Sequence, residues 1–322
     1  MKAAGAGAGA AAAAATSMPQ GAAAVATPMR PAASVPPANA RPSMPGREAV
    51  RVKGRWRANR WLLLRRLVQA SILALFLAGP WAGLWIVEGN LSSSLTLGVL
   101  PLTDPFVLLQ TMATRNWPEL SALVGVAVVL VAYLLVGGRA FCAWVCPMNV
   151  VTDGAGWLRR RLGLRGARAP SRDFRLWLLA GTVLAAAVTG MAAWEWINPV
   201  PMLHRGIVFG FGLGWAVVLA VFLYDTLVAR HGWCGHVCPQ GALYGLLGRA
   251  SLMRVSARRR SQCNDCGDCL VVCPETHVIA PALKGGGSPV IASGDCTNCG
   301  RCIDVCSRDV FRFTTRFDPR SE

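Results

Sequence analysis

Charge is scarce in this sequence, and acidic charge is scarcest. Charged residues make up 15% of the chain, with 16 acids against 33 bases and a formal net charge of +17. A basic protein that grips nucleic acid interleaves its arginines with polar residues along one face. Here the bases border long uncharged runs, the distribution expected beside an inner membrane leaflet, so no nucleic-acid partner is expected. Isolated cysteines are also missing. All twelve fall in short-spaced clusters, which argues against a secreted disulfide scaffold and for metal chemistry in a reducing compartment. No haem-ligand pattern occurs either.

What is present divides the chain into three parts. Residues 1–50 are Ala-, Gly- and Pro-rich and end near Pro45-Gly46. They hold too little apolar surface to offset ordering entropy, so a disordered tail is expected. The Ala-rich run from Ala3 resembles a signal peptide only weakly, since Lys2 alone supplies an amino-terminal charge. Residues 51–254 contain four uncharged runs, Leu67–Val87, Leu120–Gly138, Leu176–Trp194 and Gly206–Tyr224. Each is close to the ~20 residues that cross a bilayer core as a helix.

Arginines set the orientation. Arg51, Lys53, Arg55, Arg57, Arg60, Arg65 and Arg66 precede the first run. Arg139, Arg159, Arg160, Arg161, Arg165, Arg168, Arg172 and Arg175 lie between the second and third. The opposite loops carry only Arg115 and Arg205 as basic groups. A multi-pass protein of the bacterial cytoplasmic (inner) membrane, with both termini cytoplasmic, is expected. Runs 1 and 2 lead to Cys142-Ala-Trp-Val-Cys146-Pro147, and runs 3 and 4 to Cys234-Gly-His-Val-Cys238-Pro239, an internal repeat offset by 92 residues. The expected fold is an α-helical membrane protein with four transmembrane helices in a duplicated two-helix unit. A carboxy-terminal α+β domain resembling a two-cluster ferredoxin, residues 255–322, follows it.

That last domain carries the strongest motif. Cys263-Asn-Asp-Cys266-Gly-Asp-Cys269-Leu-Val-Val-Cys273-Pro274 and Cys296-Thr-Asn-Cys299-Gly-Arg-Cys302-Ile-Asp-Val-Cys306 are both C-x2-C-x2-C-x3-C runs. In this register three thiolates of one run wrap one [4Fe-4S] cluster, and the fourth reaches across to the other. Cys263, Cys266, Cys269 and Cys306 are expected to hold the first cluster. Cys296, Cys299, Cys302 and Cys273 are expected to hold the second. Structural zinc is the alternative use of C-x2-C spacing. Ser307 stands where a proline often follows the last cysteine.

The C-x3-C-P pairs are less specific. On a helix, side chains at i and i+4 share a face, and a pseudo-twofold repeat would gather Cys142, Cys146, Cys234 and Cys238. Three uses stay open: a further cluster or metal, redox-active or disulfide-forming thiols, and plain structural cysteines. His236 is either a metal ligand or a helix-end histidine satisfied by backbone, and His231 and His277 carry no spacing signal. On the opposite face Glu88, Asp104, Glu195 and His204 stand among aromatics as candidates to seat a quinol and take its protons. The competing explanation is an interfacial aromatic belt, which Trp194 and Trp196 fit.

From about residue 60 to 312 the chain resembles the NapH family, the membrane ferredoxin-type subunits of periplasmic nitrate reductase systems, within the membrane polyferredoxins. Carrying the resemblance are Asn90-Leu-Ser-Ser-Ser-Leu-Thr-Leu, Pro101-Leu-Thr-Asp-Pro-Phe-Val-Leu-Leu-Gln110, Trp194-Glu-Trp-Ile-Asn-Pro199, Met202-Leu-His-Arg-Gly206 and both cysteine motifs. The flavin-bearing and immunoglobulin-like additions of other polyferredoxins are missing. The resemblance implies a quinol dehydrogenase component that draws on the quinone pool. It also implies a periplasmic ferredoxin partner, NapG, and delivery of electrons to nitrate reduction. Two alternatives remain from the residues: an assembly factor that reduces a metal or thiol, and a cytoplasmic electron docking module that never touches quinone.

Overall fold

The computed structural model describes residues 44–318 apart from 165, 167 and 211. Most of the expected tail and Arg165 therefore lie outside the described residues. Helix α1, Arg47–Arg57, begins inside the segment read as tail. Gly46 before it takes φ +86 and donates its N–H to Asp268 of the carboxy-terminal domain at 2.9 Å.

All four apolar runs form helices, but of unequal length. Helix α2, Arg60–Ala82, has 23 residues and is the one described helix long and apolar enough to cross a bilayer. Its successors α4, Leu120–Val136, α7, Phe174–Thr189, and α9, Gly214–Leu223, are shorter, although a π-helical turn continues α9 to Val228. The fourth run, Gly206–Tyr224, is not one helix. Helix α8, Pro199–Phe209, ends at Gly210, whose φ of +97 is open to glycine without a Cβ penalty. The first run also ends early: Gly83 closes α2 by donating to the Gly79 carbonyl while Leu84 donates to that of Ala78, and Val87 starts strand β1, Val87–Gly89. Gly190 closes α7 in the same left-handed way, so Trp194 falls in a 3-10 turn.

The repeat is longer than its cysteines disclose. Strands β1, β2, Ser93–Thr96, and β3, Leu100–Thr103, form an antiparallel sheet that leads into α3, Pro105–Ala113. Asp104 caps α3 by accepting the Phe106 N–H at 2.8 Å, with proline at the first helical position. Ninety-four residues later Asn198 caps α8 by accepting the Val200 N–H at 3.1 Å, again before a proline. Both are Asx caps with a pre-set first turn. The two short helices exchange partners: α3 packs on α7, and α8 packs on α2. Each repeat unit is thus a long helix, an Asx-Pro half-helix, a second long helix and a C-x3-C-P segment.

Helix α5, Ala140–Trp144, carries the first cysteine of the first pair; α6, Met148–Arg161, follows that pair, and α10, Pro239–Gly248, follows the second. The carboxy-terminal domain is bounded by the antiparallel strands β4, Met253–Ser256, and β5, Arg312–Thr315. Between them lie α11, Asp268–Val272, α12, Ile279–Lys284, and α13, Arg301–Val305. Its core joins Val255, Ile279, Ile291, Ile303 and Phe311 with Cys269 and Cys302. Trp61 of α2 plugs into it, edge-on to Phe313 at 4.7 Å and to Trp144 at 6.2 Å.

Candidate redox site

The two tail motifs fold alike, 33 residues apart. Asp265 and Asn298 take positive φ, as do Gly267 and Gly300, which then start α11 and α13. Alternating left- and right-handed residues turn successive N–H groups inward, a concavity suited to anionic sulfur. The carboxy-terminal cysteine of each run, Cys273 or Cys306, stands in extended backbone just past its helix.

The cysteines of the two runs gather in two groups. Cys263, Cys266, Cys269 and Cys306 lie within electrostatic reach of one another. Cys273, Cys296, Cys299 and Cys302 do the same and line one cavity with Pro274, Thr297 and Gly300. Cys269 and Cys302 face each other between the two sites. No three His, Cys, Asp or Glu side chains among the described residues approach closely enough to share a single ion. A tetrahedral zinc would need sulfurs about 3.8 Å apart, given Zn–S near 2.3 Å. Four thiols lining one cavity suit a four-iron cube. Burial opposes ionisation of Cys299, but the Arg301 and Arg65 guanidiniums outweigh it and hold the thiol below its ordinary value.

The second cysteine group also converges, though not on regular helices. Cys142 is in α5 and Cys146 lies past its end; Cys234 is in a π-helical turn, and Cys238 caps α10 with its sulfur 3.4 Å from the Gly241 N–H. The cause is the following proline, which disfavours helical backbone in the residue before it. Cys238 accordingly has ψ 112. The four thiols interact electrostatically with one another across the repeat. Burial raises all four, Cys238 to about 12. Neutral thiols in such a place are inert, whereas metal coordination deprotonates them. The donor set therefore fits a metal or cluster better than a free redox thiol.

Around both groups stand charges that the sequence offered only as membrane-facing. Arg139 is 1% exposed and donates to Glu275 at 2.6 Å, to the Asp295 carbonyl at 3.2 Å and to the Cys234 carbonyl at 2.7 Å. Arg175 pairs with Asp295 at 2.5 Å, and His277 joins Asp295 at 3.2 Å. Burial works against the Asp295 carboxylate, yet His277, Arg175 and Arg139 hold it well below the usual range. On the other side Asp153 of α6 pairs with Arg66 and with Arg301, the residue between Cys299 and Cys302. Three arginines of the basic loops, Arg139, Arg172 and Arg175, thus pair with carboxylates of the tail. Scarce acids placed against cysteines, Glu275 after Cys273-Pro274 and Asp295 before Cys296, were the available signal for this.

The quinol candidates separate. Asp104 is buried, with Oδ1 at 2.5 Å from the Tyr244 hydroxyl and Oδ2 at 2.5 Å from Gln240 Nε2. Both partners lie in α10, just after Cys238-Pro239, so this acid stands beside the C-x3-C-P cysteines and interacts with Cys142. Burial pushes its carboxyl up to about 6, against the hydrogen bonds from Tyr244, Phe106 and Gln240. Glu195 accepts from Ser92 at 3.3 Å and Asn198 at 3.2 Å, and interacts with Asp104. His204 is 2% exposed, edge-on to Phe76, with neither ring nitrogen partnered among the described residues. Glu88 instead lines an open groove with Leu95, Thr103, Trp117 and Glu119. His236 bonds the Pro170 backbone. Gln240 and Tyr244 were not legible as site residues, because nothing in their spacing links them to Asp104.

Comparison with known proteins agrees with these cysteine sites. Residues 119–165 and 208–260, which contain the C-x3-C-P pairs, match the family described as 4Fe-4S binding domain. Residues 262–310 match the 4Fe-4S dicluster domain. The chain is 55% identical over 269 residues to the methylamine utilization ferredoxin-type protein MauN of Methylorubrum extorquens, covering 84% of this chain and 94% of the relative. MauN of Paracoccus denitrificans is 57% identical over 81% of this chain and 93% of its own. The ferredoxin-type protein NapH of Escherichia coli is 51% identical over 84% of this chain and 95% of its own. No solved structure matches. With this identity over nearly the whole length of its relatives, and with 4Fe-4S domains over all twelve cysteines, the chain belongs to the NapH/MauN family of ferredoxin-type polyferredoxins.

Proposed function

We propose that this electron-transport protein is a quinol-oxidising subunit embedded in the bacterial inner membrane. One observation carries the proposal: Asp104, from the loop opposite the basic face, is drawn inward until it bonds Gln240 and Tyr244 beside the C-x3-C-P cysteines. Quinol oxidation releases two electrons and two protons, and it needs a proton acceptor next to the electron acceptor. Asp104 takes the first role. Cys142, Cys146, Cys234 and Cys238 hold the centre that takes the second, and the eight tail cysteines hold two [4Fe-4S] clusters beyond it. Bound clusters supply one-electron carriers; the protein positions them, excludes water and holds the proton.

Membrane embedding is supported by α4, whose Leu123, Val124, Val131 and Leu135 are turned outward in a helix without a charge. In this reading α2, α4, α7 and α9 traverse the bilayer, with the half-helices α3 and α8 filling its depth where α9 is short. Both termini then lie on the basic, cytoplasmic side.

Electrons would pass to a periplasmic ferredoxin partner of the NapG type and on to nitrate reductase. A second destination is favoured by identity as high to MauN as to NapH: a methylamine-utilization chain. Reconstituted protein given a quinol decides the main point. Cluster signals that appear in the electron paramagnetic resonance spectrum support quinol oxidation. Clusters that stay oxidised with quinol and partner present overturn it and favour an assembly factor or a docking module.

A further inference from the structure

Arg139 joins the C-x3-C-P region to the tail, beside Trp144, whose indole N–H donates to the Asn298 carbonyl at 3.1 Å. One Nη donates to the carbonyl of Cys234, and the other donates to the carbonyl of Asp295, the residue before Cys296. The second nitrogen also holds Glu275, two residues after Cys273. One planar guanidinium therefore joins a cysteine of the C-x3-C-P group to both chain segments that carry the second tail site. Its other surroundings confine it: Gly241 and Gly245 of α10 lie against it, and a Cβ at either would stand 3.5 or 3.8 Å from its atoms. Arg230, four residues before Cys234, donates to the carbonyls of Leu270 and Cys273, and Cys266 of the first tail site is exposed.

We infer that Arg139 is the electrical bridge of the molecule: it fixes the C-x3-C-P centre against the Cys273/Cys296/Cys299/Cys302 site and makes that site the entry point of the tail. The Cys263/Cys266/Cys269/Cys306 site is then the outlet, nearest the surface. The inference rests on the reading that the four C-x3-C-P cysteines hold a redox centre. A permanent cation hydrogen-bonded between two anionic centres stabilises the added electron at both. The bridge is a positioning residue, since it reaches each centre through backbone carbonyls and carboxylates. With clusters bound, the four C-x3-C-P cysteines would hold the centre that takes quinol's two electrons one at a time and passes each to the inner tail site, while the two protons would leave by way of Asp104 and none through Arg139.

The test is a potentiometric titration of the whole protein in lipid, followed by paramagnetic resonance and with iron counted beforehand. Arg139→Gln should make reduction of the C-x3-C-P centre and the inner tail site about tenfold less favourable, which is ~59 mV for one electron. The outer site should stay in place. Arg139→Lys keeps the charge and should recover most of that shift. Arg175→Gln removes a cation from the same carboxylates without touching Cys234, and it should leave the C-x3-C-P centre unmoved. Equal potentials in wild type and Arg139→Gln, or equal shifts from Arg139→Gln and Arg175→Gln, overturn the bridge. Should Arg139→Gln not fold, magnetic coupling between the two centres in the wild type decides: a split signal supports the bridge and an unsplit one overturns it. A wild type with iron for two clusters only defeats the reading beneath, and the bridge with it.

Discussion

At the scale of single residues, the chemistry is set by side chains whose charge has been taken out of water. Asp104 has a hydroxyl, an amide and a backbone N–H for partners, none of them a cation. Its carboxyl therefore rises to about 6. The sign of the consequence follows. Below that value Asp104 is protonated and cannot accept a proton, so quinol-driven cluster reduction should slow as pH falls through about 6. Asp104→Asn should lower that rate at least tenfold at neutral pH, in keeping with the general-base contribution of about 10²–10⁴, and should flatten the profile. A stopped-flow pH series on both proteins checks it. Glu275 makes a different case. It is 2% exposed and faces Arg139, which is 1% exposed. Glu275→Ala removes the nearest carboxylate from a buried cation and should cost about 3–5 kcal/mol, measured by denaturant unfolding in detergent. Neither residue stands out in the sequence, where Asp104 is one of four candidates and Glu275 merely follows Cys-Pro.

Elements show where sequence patterns carry and where they stop. The four uncharged runs are helical, the fourth in two pieces, because an apolar run long enough to be buried needs no tertiary information to be helical. The break at Gly210 was hidden, since the residues on both sides are equally apolar and only the backbone conformation of one glycine divides α8 from α9. The half-helices were hidden for a related reason: an Asx-Pro cap is two residues, easily lost beside a long run. The repeated loop of the tail motifs was legible, because cysteine spacing is itself the geometry of the loop. Gly300 tests that loop. It takes φ +72, and a Cβ there would stand 2.6 Å from Trp61. Gly300→Ala should add about 1–2 kcal/mol of left-handed strain and a clash with the Trp61 ring. Iron and sulfide content should drop by one cluster's worth, while Gly286→Ala, with nothing within 4 Å, leaves it unchanged.

For the molecule as a whole, the basic excess has two uses that composition cannot separate. Arg51 and Arg55 are exposed on α1, as an inner leaflet would require, whereas Arg65, Arg139 and Arg175 are buried and turned toward the tail. A positive-inside count treats all alike, because it weighs position along the chain and not burial. Buried pairs are screened far less by salt than exposed ones. Amide exchange in α11 and α13 should therefore change little between 0.1 and 1 M salt, read by mass spectrometry, on the order of the Debye-length argument. A large increase in exchange would show the clamp to be superficial.

The seating of α1 and α2 on the tail also bears on how the protein is made. Gly46 bonds Asp268, the start of α2 bonds Asp304, and Lys53 pairs with Asp309. The first described helices are thus completed by residues more than 220 positions later. Such distant contacts form slowly, and until they do Trp61 and Arg65 lack their partners. A chain stopped before the tail would present an unfinished first helix to the cell's proteases, so translation itself inspects whether the redox end has arrived.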